Sequence, residues 1–329
     1  MLLRVISLKN NNVVFVFIII IMFLASCDTS QTSRQGSSTR VFGDGIELSF
    51  VQGVPPDIIH VERGLNPNTN FEVAVNIRNR GSFPRDDITS LNGRIYLRGF
   101  DSNIISGYWS GGNQFNSLRG ASESMPEGSL LQKNFIANQI NYPFESREYP
   151  INLLLTACYY YQTETAGIVC VDPNPTSREE KICTMGDVRL DVQNAPVKVT
   201  RVSQTATSSE LIFNIEITNT GNGVVLREFA FRGGGVVTED RCLNADTYRD
   251  MNLVGISTSI VGLGEGNCRP TGSSQEPIRL FDNRGNVVCT FPIPQNMDSA
   301  YTTQMQIILM YGYRQSVQKE IKLVNVGAR

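Results

Sequence analysis

The chain has 329 residues, with 29 basic and 31 acidic side chains, one histidine and seven cysteines. A formal charge of −2 provides no basic footprint for neutralising phosphates, which argues against a nucleic-acid role. With His60 as the lone histidine and no CxxC pair, no zinc site is expected, nor any other metal or cofactor.

Arg4 and Lys9 precede an apolar run over residues 13–25, and small residues follow it, which is the pattern of a secretory signal peptide. The run is too short for a transmembrane helix, which needs about 20 apolar residues. Its end, Leu24-Ala25-Ser26-Cys27, resembles the lipobox of prokaryotic lipoproteins. That resemblance implies a signal peptide over residues 1–27, with Cys27 diacylated as the mature N-terminus and lipid anchor. An ordinary signal peptide that carries a cysteine, or an uncleaved anchor, is the alternative. Residues 28–42 read as a disordered tether, since DTSQTSRQGSSTR contains no large apolar residue to offset its ordering entropy.

Beyond the tether the chain repeats itself. FEVAVNIRNRG (71–81) and LIFNIEITNTG (211–221) share period-2 apolar alternation and end in Asn-x-Gly, with Asn79 matching Asn219 and Gly81 matching Gly221. Alternation of β-branched residues predicts half-buried strands, each closed by a turn. Shorter strands, 46–51 and 197–202, precede them. A second echo closes each copy: LLLTACYYY (153–161) and IILMYGY (307–313) both end in Tyr-x-Tyr, and a polar turn and a further strand (168–171, 317–324) are expected after each. Further strands are expected at 94–100, 104–109, 129–137, 226–232, 278–281 and 287–292. The last two flank Asp282-Asn283-Arg284-Gly285-Asn286, a hairpin signal. The best helical candidate, 245–254, is short and lacks an apolar stripe. The chain divides near Asn194-Ala195-Pro196 into domains 43–195 and 196–329. The expected fold is all-β: two tandem immunoglobulin-like antiparallel β-sandwiches after a signal peptide and flexible tether.

FEVAVNIRNRGSFPRDDI and LIFNIEITNTGNGVVLREF resemble the strand leading into Asn-x-Gly in CARDB-type and related immunoglobulin-like domains of prokaryotic surface proteins. Residues 117–135, with Pro126-Glu127-Gly128, are similar to the Pro-x-Gly turn and following strand of the same domains. The resemblance implies the fold rather than an activity. Both units are longer than the usual ~100 residues, and the cysteines are not part of that pattern.

Six cysteines follow Cys27: Cys158, Cys170, Cys183, Cys242, Cys268 and Cys289. An even number in an exported chain favours disulfides. Cys158 and Cys170 lie equally far from Glu164, the centre of the expected hairpin, and are expected to pair; Cys183 competes for either. Cys268 and Cys289 bracket the Ile278 strand and are candidates for a second pair, leaving Cys242 for Cys183 or another neighbour.

No catalytic constellation is expected. His60 reads as a strand or turn residue, the adjacent carboxylates Asp86-Asp87 and Glu179-Glu180 point apart, Gly233-Gly234-Gly235 lacks the Lys-Ser/Thr of a phosphate loop, and 282–286 lacks calcium-loop spacing. The suggestive binding element is GYWSGGNQF (107–115), which puts Tyr108, Trp109 and Phe115 among glycines; a core tryptophan is the competing role for Trp109. Arg78, Arg80, Arg94 and Arg98 read as a solvated sheet face, with an anionic-glycan surface as the alternative. The sequence therefore points to a non-enzymatic, exported protein, anchored by lipid at the outer face of the cytoplasmic membrane or cell envelope. Its role is structural, adhesive or in assembly, and its partners are the membrane and other envelope proteins or surface glycans. A glycan-binding module using Tyr108 and Trp109 is the second reading, a hydrolase of unknown type the third.

Overall fold

The structure is a computed structural model that describes residues 45–85, 91–106, 113–228, 242–244, 248–270, 276–294, 297 and 299–327. Its strands, in chain order, are β1 (Ile46–Phe50), β2 (Ile58–Val61), β3 (Gly64–Asn79), β4 (Leu91–Arg98), β5 (Ile105–Ser106), β6 (Asn113–Leu118), β7 (Leu130–Tyr142), β8 (Glu148–Val171), β9 (Val197–Ala206), β10 (Glu210–Asn219), β11 (Val224–Leu226), β12 (Leu253–Ile260), β13 (Gly264–Glu265), β14 (Asn267–Arg269), β15 (Ile278–Arg279), β16 (Arg284–Pro292) and β17 (Tyr301–Asn325). The protein is all-β, and its strands form three sheets. Two have four strands, ordered β1-β3-β7-β5 and β14-β16-β10-β9. The third has nine, running β13-β12-β17-β8-β4-β6 with β2 and β11 also on β17 and β15 on β12. All pairings between these strands are antiparallel except β2 with β17.

The expected alternation places the core. Phe71, Val73, Val75 and Ile77 of β3 are buried, as are Leu211, Phe213, Ile215 and Ile217 of β10. In β8 and β17 the odd-numbered positions turn inward: Leu153, Leu155, Tyr159 and Tyr161 on one strand, Met305, Ile307, Leu309, Tyr311 and Tyr313 on the other. The buried faces of all three sheets merge into one apolar cluster. A smaller cluster of Tyr96, Cys158, Leu226, Cys242 and Leu243 gathers the even-numbered Cys158 and its neighbours on the opposite face of the nine-stranded sheet.

The strands that close the two copies do not turn where a hairpin was expected. β8 and β17 run 24 and 25 residues without a break and pair with each other from Val171 opposite Tyr301 to Glu148 opposite Val324. At a rise of about 3.4 Å per residue this makes a ribbon about 80 Å long. Tyr161 lies opposite Tyr311 and Tyr159 opposite Tyr313, so the two Tyr-x-Tyr echoes face each other around the pair Tyr160–Gly312. On either side of the ribbon β4 and β6 are answered by β12 and β13. The copies are thus related by a local two-fold whose axis passes through the ribbon.

Hydrogen bonds repeat across that axis. Ile46 N–H donates to Tyr159 Oη and Val197 N–H to Tyr311 Oη, at 3.4 and 3.3 Å. Asn79 Nδ2 donates to Phe83 O and Asn219 Nδ2 to Gly223 O. Phe83 N–H donates to Tyr161 Oη and Gly223 N–H to Tyr313 Oη. The link near Asn194 belongs to this arrangement: Asn194 O accepts Ser82 N–H and the Tyr161 hydroxyl, and Pro196 O accepts the N–H groups of Thr220 and Gly221.

Candidate functional site

The six cysteines after Cys27 form three disulfides, Cys158–Cys242, Cys170–Cys183 and Cys268–Cys289. Cys158 therefore bonds not to Cys170 but to Cys242, 84 residues on. The expected hairpin pairing fails because no turn forms at Glu164: β8 continues straight through it, so Cys158 and Cys170 lie far apart on one strand. Cys268 and Cys289 lie directly opposite on β14 and β16. Disulfides of this kind belong to an oxidising compartment.

Of the expected binding element, Tyr108 and Trp109 lie outside the described residues, as does Cys27. Phe115 is fully buried, its ring against Gly93, where a Cβ would come within 2.4 Å of Cζ. Its ring is a core group and is not presented to a ligand. Asp86-Asp87 and Gly233-Gly234-Gly235 also lie outside the described residues. His60 is exposed on β2. The 282–286 segment is a tight hairpin, with positive φ at Asp282 and Asn283 and reciprocal backbone hydrogen bonds between Phe281 and Arg284. Residues 245–247 of the helical candidate are not described; Leu253 and Val254 open β12. Arg78 and Arg80 join an ion-pair network with Glu47 and Glu127. Among the described residues no group of three or more His, Cys, Asp or Glu side chains is placed to hold a metal ion.

The arrangement that sequence reasoning missed lies at the end of β8. Pro173 and Pro175 stop the strand, since proline cannot donate to the ladder. Cys170 and Cys183 then close a loop, and two residues further in from each cysteine Lys181 Nζ meets Asp172 Oδ2 at 2.5 Å. Lys181 Nζ also donates to Asn174 O, Asn174 N–H to Asp172 Oδ1, Ser177 N–H to Asn174 O and Glu179 N–H to Ser177 Oγ. The Asp172 and Lys181 side chains are 6% and 19% exposed, whereas Arg178, Glu179 and Glu180 at the tip are exposed and Ile182 is 78% exposed. Glu179 and Glu180 thus sit on a held loop. The proline pair between Cys170 and Cys183 was the available signal.

The described chain is an all-β protein of antiparallel sheets packed face to face and stapled by disulfides. No family model matches it, and no curated protein does. Among solved structures, the crystal structure of the CupB6 tip adhesin from Pseudomonas aeruginosa aligns with 86% of this chain and 99% of its own, at 10% identity and a TM-score of 0.17.

Proposed function

We propose that the chain is a non-enzymatic, exported envelope protein, held at the outer face of the cytoplasmic membrane or cell envelope by a lipid on Cys27. Its role is structural, adhesive or in assembly, and its two fused halves are immunoglobulin-like units of the CARDB type. The observation that carries this reading is the accounting of thiols. Of seven cysteines, six are consumed in three disulfides among themselves, and Cys27, in the lipobox-like Leu24-Ala25-Ser26-Cys27, is the one left over. An odd cysteine in an exported chain calls for a use outside the disulfide framework, and lipid attachment supplies one. The polar side chains at the centre serve the architecture: hydroxyls of Tyr159, Tyr161, Tyr311 and Tyr313 hold the starts of strands and the corners after Asn79 and Asn219. On this reading the partners are the membrane, through the lipid, and other envelope components.

The test uses full-length protein in cells supplied with a clickable fatty acid. Wild type is expected to carry the label and to sediment with membranes, and Cys27→Ser to lose both. A Cys27→Ser protein that is still lipid-labelled and membrane-bound overturns the anchor.

A further inference from the structure

We propose that the outer edge of β1 accepts an extended strand of another protein, one that carries apolar residues at alternate positions; this deepens the assembly role proposed above and rests on it. The local two-fold makes β1 the counterpart of β9, since Ile46 N–H donates to Tyr159 Oη as Val197 N–H does to Tyr311 Oη. Gln315 Nε2 likewise donates to Ile46 O where Thr163 Oγ1 donates to Val197 O. The outer edges of the two strands nevertheless differ.

The edge of β9 is covered by residues 186–191, which precede it in the chain. Val188 N–H donates to Val202 O and Gln204 N–H to Gly186 O, while Asp191 N–H donates to Ala166 O of β8. Val188 and Leu190 of this strap pack against the core, and Asp187, Arg189 and Asp191 between them are exposed. Thr165 and Gly167 are buried beneath it, a Cβ on Gly167 coming within 2.6 Å of Val188. Along β1, Arg80 N–H donates to Gly45 O, and successive residues of an antiparallel ladder turn to opposite sides, so Leu48 and Phe50 turn their N–H and C=O groups away from β3. Among the described residues no strand or bridge pairs with that edge at either position. Phe50 and Val317, the counterpart of Thr165, are left half-buried. Lys319, the counterpart of Gly167, is half-buried as well, its ammonium drawn to Pro55 O and Asp57.

An open edge is a template for strand addition, in which backbone hydrogen bonds supply affinity and alternate side chains supply specificity. The covered twin shows what fills such a slot: an extended segment with an apolar residue at every second position. The chain has no such segment ahead of β1. Counting back equally from Val197 and Ile46, Ser37 and Thr39 stand at the positions of Val188 and Leu190, and residues 28–40 contain no large apolar side chain. Val188 and Leu190 themselves are committed to β9. The occupant is therefore a strand of a different protein.

The test places a photo-crosslinking residue at exposed Ser49 of β1 in the full-length protein in its own cells, with exposed Thr205 on the covered β9 as the control position. The expected result is an adduct with a different protein at position 49, absent at 205, whose cross-linked peptide reads with apolar residues at alternate positions. In isolated envelopes a synthetic peptide of the strap, MGDVRLDV (185–192), should lower its yield about tenfold, and the same peptide with Val188→Ser and Leu190→Ser should not, as for loss of interface anchors. No adduct above the control, an adduct between two copies of this chain or with its own residues 28–40, a cross-linked peptide without the alternation, or equal competition by both peptides overturns the proposal. Failure here with Cys27→Ser still behaving as expected would remove the strand-acceptor role and leave the anchored envelope protein standing.

Discussion

The hydroxyl of Tyr313 accepts the N–H of Gly223 at 2.8 Å and donates to Oδ1 of Asn219 at 3.2 Å, so that a tyrosine from the last strand fixes the corner that follows β10, 94 residues away from that asparagine. Asn219 Nδ2 in turn donates to Gly223 O, which makes the corner a closed circuit of three groups. Tyr313→Phe keeps the ring and removes the circuit's centre. A net loss of about 1–2 kcal/mol is expected, by the usual worth of a hydrogen bond whose partners are left partly buried. Denaturant unfolding measures it, and a Tyr313→Phe, Asn219→Ala cycle should be strongly non-additive. Additive losses would show that the two side chains act separately.

The glycines of the two Asn-x-Gly turns pack against these tyrosines. A Cβ at Gly81 would lie 1.8 Å from Tyr161 Oη, and one at Gly221 2.3 Å from Tyr313 Oη. Gly81→Ala and Gly221→Ala are each expected to cost about 1–3 kcal/mol through overpacking of an aligned ring. Gly186→Ala, where a Cβ meets nothing within 4 Å, is the control and is expected to be neutral. Equal effects at all three positions would contradict the packing.

Burial pushes the Tyr159 and Tyr311 phenols well above their ordinary range, with neighbouring phenols adding to the effect at both. A group whose folded-state pKa is raised contributes stability that is complete below its unfolded pKa, about 10 for tyrosine, and is lost as pH rises toward the folded value. The protein should therefore keep its full stability at neutral pH and lose it above about pH 10. Tyrosinate absorbance from Tyr159 and Tyr311 should appear only together with loss of the fold. A single smooth titration with the fold intact would refute the sealed centre.

The three disulfides should be recovered as Cys158–Cys242, Cys170–Cys183 and Cys268–Cys289 in peptides digested without reduction. By chain entropy the bond across 84 residues is worth about 4.5 kcal/mol and the one across 13 about 3 kcal/mol. Paired serine replacement of Cys158 and Cys242 should accordingly lower the unfolding midpoint more than replacement of Cys170 and Cys183. The reverse order would place the stabilising bond at the end of β8.

The strand faces were legible because a half-buried strand writes its period into the chain. FEVAVNIRNRG and LIFNIEITNTG became β3 and β10 with the expected residues inward, and 282–286 became the expected tight turn. The Tyr-x-Tyr echo also marked the middle of the ribbon, although its meaning was not readable. The expected turn after Tyr161 shows why. Gln162, Thr163, Glu164 and Thr165 read as a polar loop, yet they continue β8, because Thr163 and Thr165 point inward and donate to Val197 O and Asp191 O. Those acceptors lie 34 and 26 residues further along the chain, where no local pattern could reveal them.

By itself, then, the sequence determined which residues alternate, where proline and glycine interrupt them, that one strand-and-turn pattern recurs, and that the six later cysteines suit a disulfide framework. Tertiary structure alone decided that the two copies share one ribbon, that Cys158 meets Cys242 rather than Cys170, and that Phe115 belongs to the core. The physical reason is common to all three. Period and propensity are properties of neighbours in sequence, whereas strand continuation, disulfide partner and burial are fixed by groups brought close only when distant segments pack.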